Sequence, residues 1–115
     1  AGLGTGTDAK RCEELARQGN AAALAVYAQT GVYLGRALAI AANLLNPSHA
    51  FIGGGVSMAL DLMLPSIGRT LDEEALPQCR ALQVTQTRLG YEAALLGAAA
   101  VCLDGWGKFI SALVR

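Results

Sequence analysis

The chain has 115 residues, and 9 Lys and Arg balance 9 Asp and Glu, so its formal charge is zero. Hydrophobic residues make up 53% and charged ones 16%, which excludes a disordered chain and fits one domain or part of one. Neutral charge with only 5% aromatic residues also lacks the basic footprint and stacking platform of a nucleic-acid binder, and the charge that draws a protein to an anionic membrane.

Gly2, Gly4 and Gly6 read as a flexible lead-in, and Thr7 or Asp8 can cap a helix beginning near Ala9. Glu13 and Arg17 stand four apart with the acid first, the better order for a helical ion pair. Gly19 is placed to end that helix and Asn20 to cap the next, which should run from Ala21 to Leu45. It stops there because Pro47 disfavours helical geometry at Asn46. Leu24, Ala28, Gly31, Gly35, Leu38, Ala42 and Leu45 recur at three- and four-residue steps, a stripe expected to face a core. Within it Gly31, Gly35 and Ala39 are small enough to admit another backbone. Two helix-interior glycines cost about 1 kcal/mol each relative to Ala, so close packing at that face is expected to matter.

His49 to Ile52 reads as a short strand, apolar enough to be buried on both faces. Gly53, Gly54 and Gly55 end it sharply. A helix is expected over 57–63, and Pro65 suits the first turn of another that reaches Ala75. Residues 81–87 alternate, Leu82 and Val84 on one face and Gln83 and Thr85 on the other, as in a half-exposed edge strand. The mostly helical stretch between the strands is the right crossover for a parallel pair. A last helix should start near Tyr91 or Glu92 and end near Leu103, with Gly105 and Gly107 loosening it before an amphipathic tail through Phe109, Ile110 and Leu113.

Cys12, Cys79 and Cys102 are odd in number, widely spaced and free of any CxxC pair, which points to reduced thiols in the cytoplasm. No signal peptide is visible, and Gln29, Arg36 and Asn43 interrupt the best stretch for a membrane span. The chain opens at Ala1 without a Met, as expected of a piece of something longer.

The informative feature is a strand followed by glycines and a helix: Phe51-Ile52-Gly53-Gly54-Gly55-Val56-Ser57. Glycines let a bound group reach the backbone, and nucleotides bind outside the carboxyl ends of parallel strands. Glycine triplets also serve as plain turns, and these residues alone leave both readings open. No Lys-Ser or Lys-Thr follows, so it is not a Walker loop, and the spacing is not that of a dinucleotide fingerprint. Gly2-Leu3-Gly4-Thr5-Gly6-Thr7 follows no strand and reads as a lead-in, not a phosphate cradle. His49 reads as a structural histidine, and Ser57 as a helix cap, since no base is apparent beside it. Asp72, Glu73 and Glu74 read as a solvated helix face; Asp61 and Asp104 show no partner in the sequence, and no general acid–base pair can be assembled.

The order of these pieces resembles the C-terminal part of the ROK family, bacterial repressors and sugar kinases that include glucokinases. Tyr33-Leu34-Gly35-Arg36-Ala37-Leu38-Ala39 through Asn43-Leu44-Leu45-Asn46-Pro47 is similar to its long helix with an Asn-Pro stop. Phe51 to Ser57 is similar to its glycine-rich strand end, and Tyr91-Glu92-Ala93-Ala94-Leu95-Leu96-Gly97-Ala98-Ala99 to its final alanine-rich helix. Arg17-Gln18-Gly19-Asn20-Ala21-Ala22-Ala23 resembles its helix–Gly–Asp–helix step, with Asn20 where Asp is common.

The resemblance implies an α/β chain from an actin-like ATPase fold: two parallel strands flanked by helices, residues 1–115 being the C-terminal segment of the nucleotide-binding lobe. It implies that Gly53, Gly54, Gly55, Val56 and Ser57 lie against ATP. The whole protein would then transfer phosphate from MgATP to a sugar hydroxyl, or, alternatively, serve as the sugar-responsive domain of a repressor. The family's phosphate loop, catalytic Asp, sugar-binding residues and zinc-binding Cys/His cluster belong upstream of the matched region, so Cys12 is not promoted to a zinc ligand. Partners expected are nucleotide, sugar and a second copy, with no membrane and no nucleic-acid contact from this segment. A third reading, a helical dimerisation piece, rests on the Gly31, Gly35 and Ala39 face.

Overall fold

The structure is a computed structural model and describes residues 8–113. The glycine lead-in, the Thr7 cap and the side chains of Phe109, Ile110 and Leu113 lie outside the described residues.

Local chemistry sets the first boundaries. Asp8 caps α1 (Ala9–Arg17) by accepting the Arg11 N–H at 2.8 Å. Gly19, at φ +85°, closes that helix: its N–H donates to Ala16 O and the Asn20 N–H to Leu15 O, both at 2.9 Å. Asn20 then caps α2 (Ala21–Leu45) through the Ala23 N–H at 3.0 Å. Asn46 ends α2 in the left-handed region, φ 46°, directly before Pro47.

β1 (His49–Ile52) and β2 (Gln83–Gln86) form a two-stranded parallel sheet, His49 opposite Gln83 and Ile52 opposite Gln86. Between them lie a 3-10 turn (Gly55–Ala59), α3 (Leu60–Glu74) and a second 3-10 turn (Pro77–Cys79). A third 3-10 turn (Gly90–Glu92) leads from β2 into α4 (Ala93–Leu113).

Three expectations are corrected here. The predicted pair of helices is one, because Pro65 sits exposed on α3 while Leu60, Met63, Ile67 and Leu71 run past it as one buried stripe. Burying such side chains, at about 1.5–3 kcal/mol each, outweighs the roughly 3 kcal/mol a proline costs inside a helix. Helix α4 continues through Gly105 and Gly107 to Leu113; single glycines lower helix stability by only about 1 kcal/mol and do not block it as proline does. β1 is not covered on both faces: Ala50 and Ile52 pack toward the core, whereas His49 and Phe51 face outward, stacked with ring centroids 6.1 Å apart.

The core is the seam between α2 and α3. Its α2 side is Ala23, Tyr27, Gly31, Gly35, Ala39 and Ala42, so the stripe read from the sequence is rotated by about one residue at Leu24, Ala28 and Leu45, which are exposed. A Cβ on Gly31 would stand 2.7 Å from Met63 O, and one on Gly35 2.8 Å from Thr70 Cβ. The close approach expected of the small residues is therefore made within the chain, against α3, and that face is not free to join two copies. Asn43 locks the far end: its side chain accepts the Leu76 N–H at 2.8 Å and donates to Glu74 O at 3.2 Å. Arg36 pairs with Glu74 at 2.9 Å, which takes one acid of the 72–74 run out of the purely solvated face assigned to it. The radius of gyration is 18.4 Å, against about 13 Å for a compact chain near this size. The excess reflects α4, which leaves Leu95, Val101 and Leu103 70–74% exposed.

Candidate functional site

The glycine turn stands where β1 ends. Gly54 adopts φ +87°, ψ 178°, a region open only to glycine, and its carbonyl accepts the Ser57 N–H at 3.1 Å to start the 3-10 turn. Because that is the first internal bond of the turn, the Gly55 and Val56 N–H groups precede it. A Cβ placed on Gly54 meets nothing within 4 Å. The Gly54 conformation therefore serves no close packing among the described residues.

Ser57 differs from its expected role. It is fully buried, and its hydroxyl donates back to Gly54 O at 2.7 Å, so it fixes the turn and does not cap α3. With that carbonyl taken by two donors, the turn has one defined shape. Val56 is 56% exposed beside it. On the β2 side, Thr87 donates its N–H to Ile52 O at 2.9 Å, and Gln86 Nε2 lies 3.2 Å from Met58 Sδ. His49 stays near the opposite end of β1, bonded to Ser48 Oγ at 3.0 Å.

A cleft of about 490 Å³ opens beside the turn, lined by Gly55, Val56 and Met58 on one side and by Ala9, Lys10 and Glu13 of α1 on the other. Sequence reasoning missed this second wall. Arg17 fastens it: its guanidinium donates to Glu13 at 2.9 Å, to both oxygens of Asp61 at 3.0 and 3.2 Å, and to Met58 O at 3.1 Å. Asp61 thus has a partner the sequence did not reveal, and the Arg17 hydrogen bond holds its carboxyl below the usual aspartate range. Asp61, then Glu13, raise the Arg17 guanidinium in turn. The Glu13–Arg17 spacing was the one available signal, and it disclosed only the pair within α1. Tyr27 adds a longer tie, its hydroxyl 3.5 Å from Ala9 O, and burial pushes the phenol above its ordinary range.

The model of the ROK family matches residues 3–104, and the chain belongs to that family. It is 33% identical over 89 residues to the DNA-binding transcriptional repressor Mlc of Escherichia coli, covering 76% of this chain and 22% of that protein. It is 39% identical over 79 residues to a glucokinase of Halalkalibacterium halodurans, covering 68% of this chain and 24% of the enzyme. Among solved structures, a protein assigned as a sugar kinase from Cytophaga hutchinsonii superposes with a TM-score of 0.75 at 29% identity, over 88% of this chain and 34% of its own. A ROK transcriptional regulator homologous to Mlc gives 0.65 at 33% identity, over 70% of this chain and 21% of its own. The arrangement of helices on a parallel strand pair is therefore part of the actin-like ATPase fold of these proteins. The chain spans about a quarter or less of the curated relatives named here. Among the described residues no helix is long and apolar enough to cross a membrane.

Proposed function

We propose that this chain is the C-terminal segment of the nucleotide-binding lobe of a cytoplasmic ROK sugar kinase, and that its share of the work is to hold ATP. The observation that carries this reading is Gly54: a glycine-only conformation at the end of a parallel strand, locked from behind by Ser57 and followed directly by Gly55 and Val56 on the wall of a cleft. Backbone N–H groups at Gly54, Gly55 and Val56 would meet the nucleotide, with Gly53 letting the chain turn away from the strand. The Ser57 side chain acts behind the turn, as its support. The superposition on a sugar kinase structure and the similarity to a glucokinase support a kinase. MgATP supplies the phosphoryl group, and catalysis in such transfer comes mostly from positioning and charge stabilisation. Ligands for Mg²⁺ and for the family's zinc are expected in the rest of the protein. The sugar site and the base that takes the hydroxyl proton are assigned to the rest of the protein.

The second reading is a sugar-responsive repressor, which the similarity to Mlc supports. An upstream winged helix would mark the repressor, and an upstream phosphate loop with an Asn-Asp pair the kinase. The test is ATP-dependent phosphorylation of glucose, N-acetylmannosamine and fructose by the full-length protein, with residues 1–115 alone as the control. Sugar phosphate from the full-length protein only is the expected result. Turnover by residues 1–115 alone would overturn the division of labour, and a full-length protein that binds MgATP but never turns over would favour the repressor.

A further inference from the structure

The two walls of the cleft are far apart in sequence and are joined by one side chain. Of the groups Arg17 holds, Glu13 lies on the α1 wall, Met58 on the glycine-turn wall, and Asp61 at the start of α3. Cys12 and Ala16, on the same helix, are buried in the core, so α1 has one face anchored and the other turned to the cleft. Glu13, the acid on its wall, pairs with the Arg17 guanidinium 2.9 Å away, which it shares with Asp61. Lys10 lines the same wall, exposed, and among the described residues it makes no ion pair. Lys10 and the Gly55–Val56 segment thus line one opening, from opposite walls.

We infer that Lys10 contacts the phosphate groups of a nucleotide held in this cleft, and that Arg17 is the positioning residue that sets it there by tying α1 to the glycine turn. The inference rests on the nucleotide reading above and adds to it a residue outside the glycine motif. An ammonium acts on phosphate as a point charge without demanding a bidentate geometry, so its contribution follows charge and salt. Adenosine, which carries no phosphate, should not sense it.

The experiment is calorimetric titration of the full-length protein with MgATP and, separately, with adenosine. Lys10→Met should weaken MgATP binding about tenfold at low salt, one charge-assisted contact, and leave adenosine affinity unchanged. Lys10→Arg should restore most of the loss, and added salt should narrow the gap between wild type and Lys10→Met. Arg17→Met should lose as much for MgATP, with Lys10→Met adding little on top of it. Wild-type affinity for MgATP in Lys10→Met overturns the inference while leaving the nucleotide reading in place. An equal loss for adenosine overturns it too, since that is the mark of a structural role. A wild-type protein that binds neither ligand removes the nucleotide reading and this inference with it.

Discussion

Glycine does opposite jobs in the α2–α3 seam and in the turn after β1. At Gly31 and Gly35 the missing Cβ is a space already filled, by Met63 O at 2.7 Å in one case and Thr70 Cβ at 2.8 Å in the other. At Gly54 the missing Cβ is a space left empty, and the residue is needed instead for its φ of +87°. The first kind of glycine binds the protein to itself. The second holds the backbone in a shape that no neighbour among the described residues packs against. Composition cannot tell them apart, and neither can spacing alone; the neighbour within 4 Å, or its absence, does.

The largest expected effect breaks the closed side of this contrast. Gly31→Val or Gly35→Val must push α3 away from α2 or bend both, because the nearest obstacles include backbone carbonyls that cannot rotate aside. Overpacking of this kind costs about 1–3 kcal/mol and occasionally more, and these sites belong at the upper end. Denaturant unfolding of the full-length protein measures it, and an unchanged midpoint would mean the helices do not approach as closely as described.

The open side should respond in reverse. Gly54→Val puts its Cβ in open space among the described residues, so its cost to folding is chiefly backbone strain, about 1–3 kcal/mol, but bulk at the approach surface should sharply weaken MgATP binding. Calorimetry decides it: an unaltered affinity would return the glycine triplet to the status of a plain turn. A smaller effect comes from behind. Ser57→Ala removes a buried hydroxyl whose partner, Gly54 O, keeps the Ser57 N–H as a second donor, so about 1 kcal/mol of stability is the expected loss. Nucleotide affinity should fall less than with Gly54→Val, because the backbone donors are retained.

The sequence made the helix ends legible because caps are local events. Asp8, Gly19, Asn20 and the Asn46-Pro47 stop each act within a few residues, and each is where it was expected. The parallel pairing of β1 with β2 was readable from a helical crossover, and the glycine turn from its place after a strand. What failed was decided by contacts distant in sequence. Pro65 stays within a helix because the buried stripe of α3 continues past it. Asp61 looked unpartnered because its guanidinium arrives from α1, and the same arrival makes Lys10 part of the cleft. The Gly31 and Gly35 face looked available to a second copy until α3 was seen to occupy it. If copies of residues 1–115 do associate, the exposed Leu95, Val101 and Leu103 of α4 offer the apolar surface, and sedimentation at micromolar concentration is the check.

The smallest effect tests whether the two walls are tied as described. Asp61 has its carboxyl held below the ordinary value of 3.8, chiefly by the Arg17 hydrogen bond. The unfolded chain therefore takes up this proton at a higher pH than the folded one, so acid favours unfolding. The stabilisation is fully present above pH 3.8 and fades as the pH falls through the lower, folded-state value. The Asp61 side chain is 59% exposed, so solvent and salt screen the pair and the change is modest. Melting temperature should be measured against pH for wild type and Asp61→Asn. The wild type should lead above pH 4 or so, and the two curves should converge as the pH falls through the lower, folded-state value, beyond which both carry a neutral group at this position. Curves that run parallel through this window would show that Asp61 does not feel Arg17, and α1 would then lack its main tie to the glycine turn.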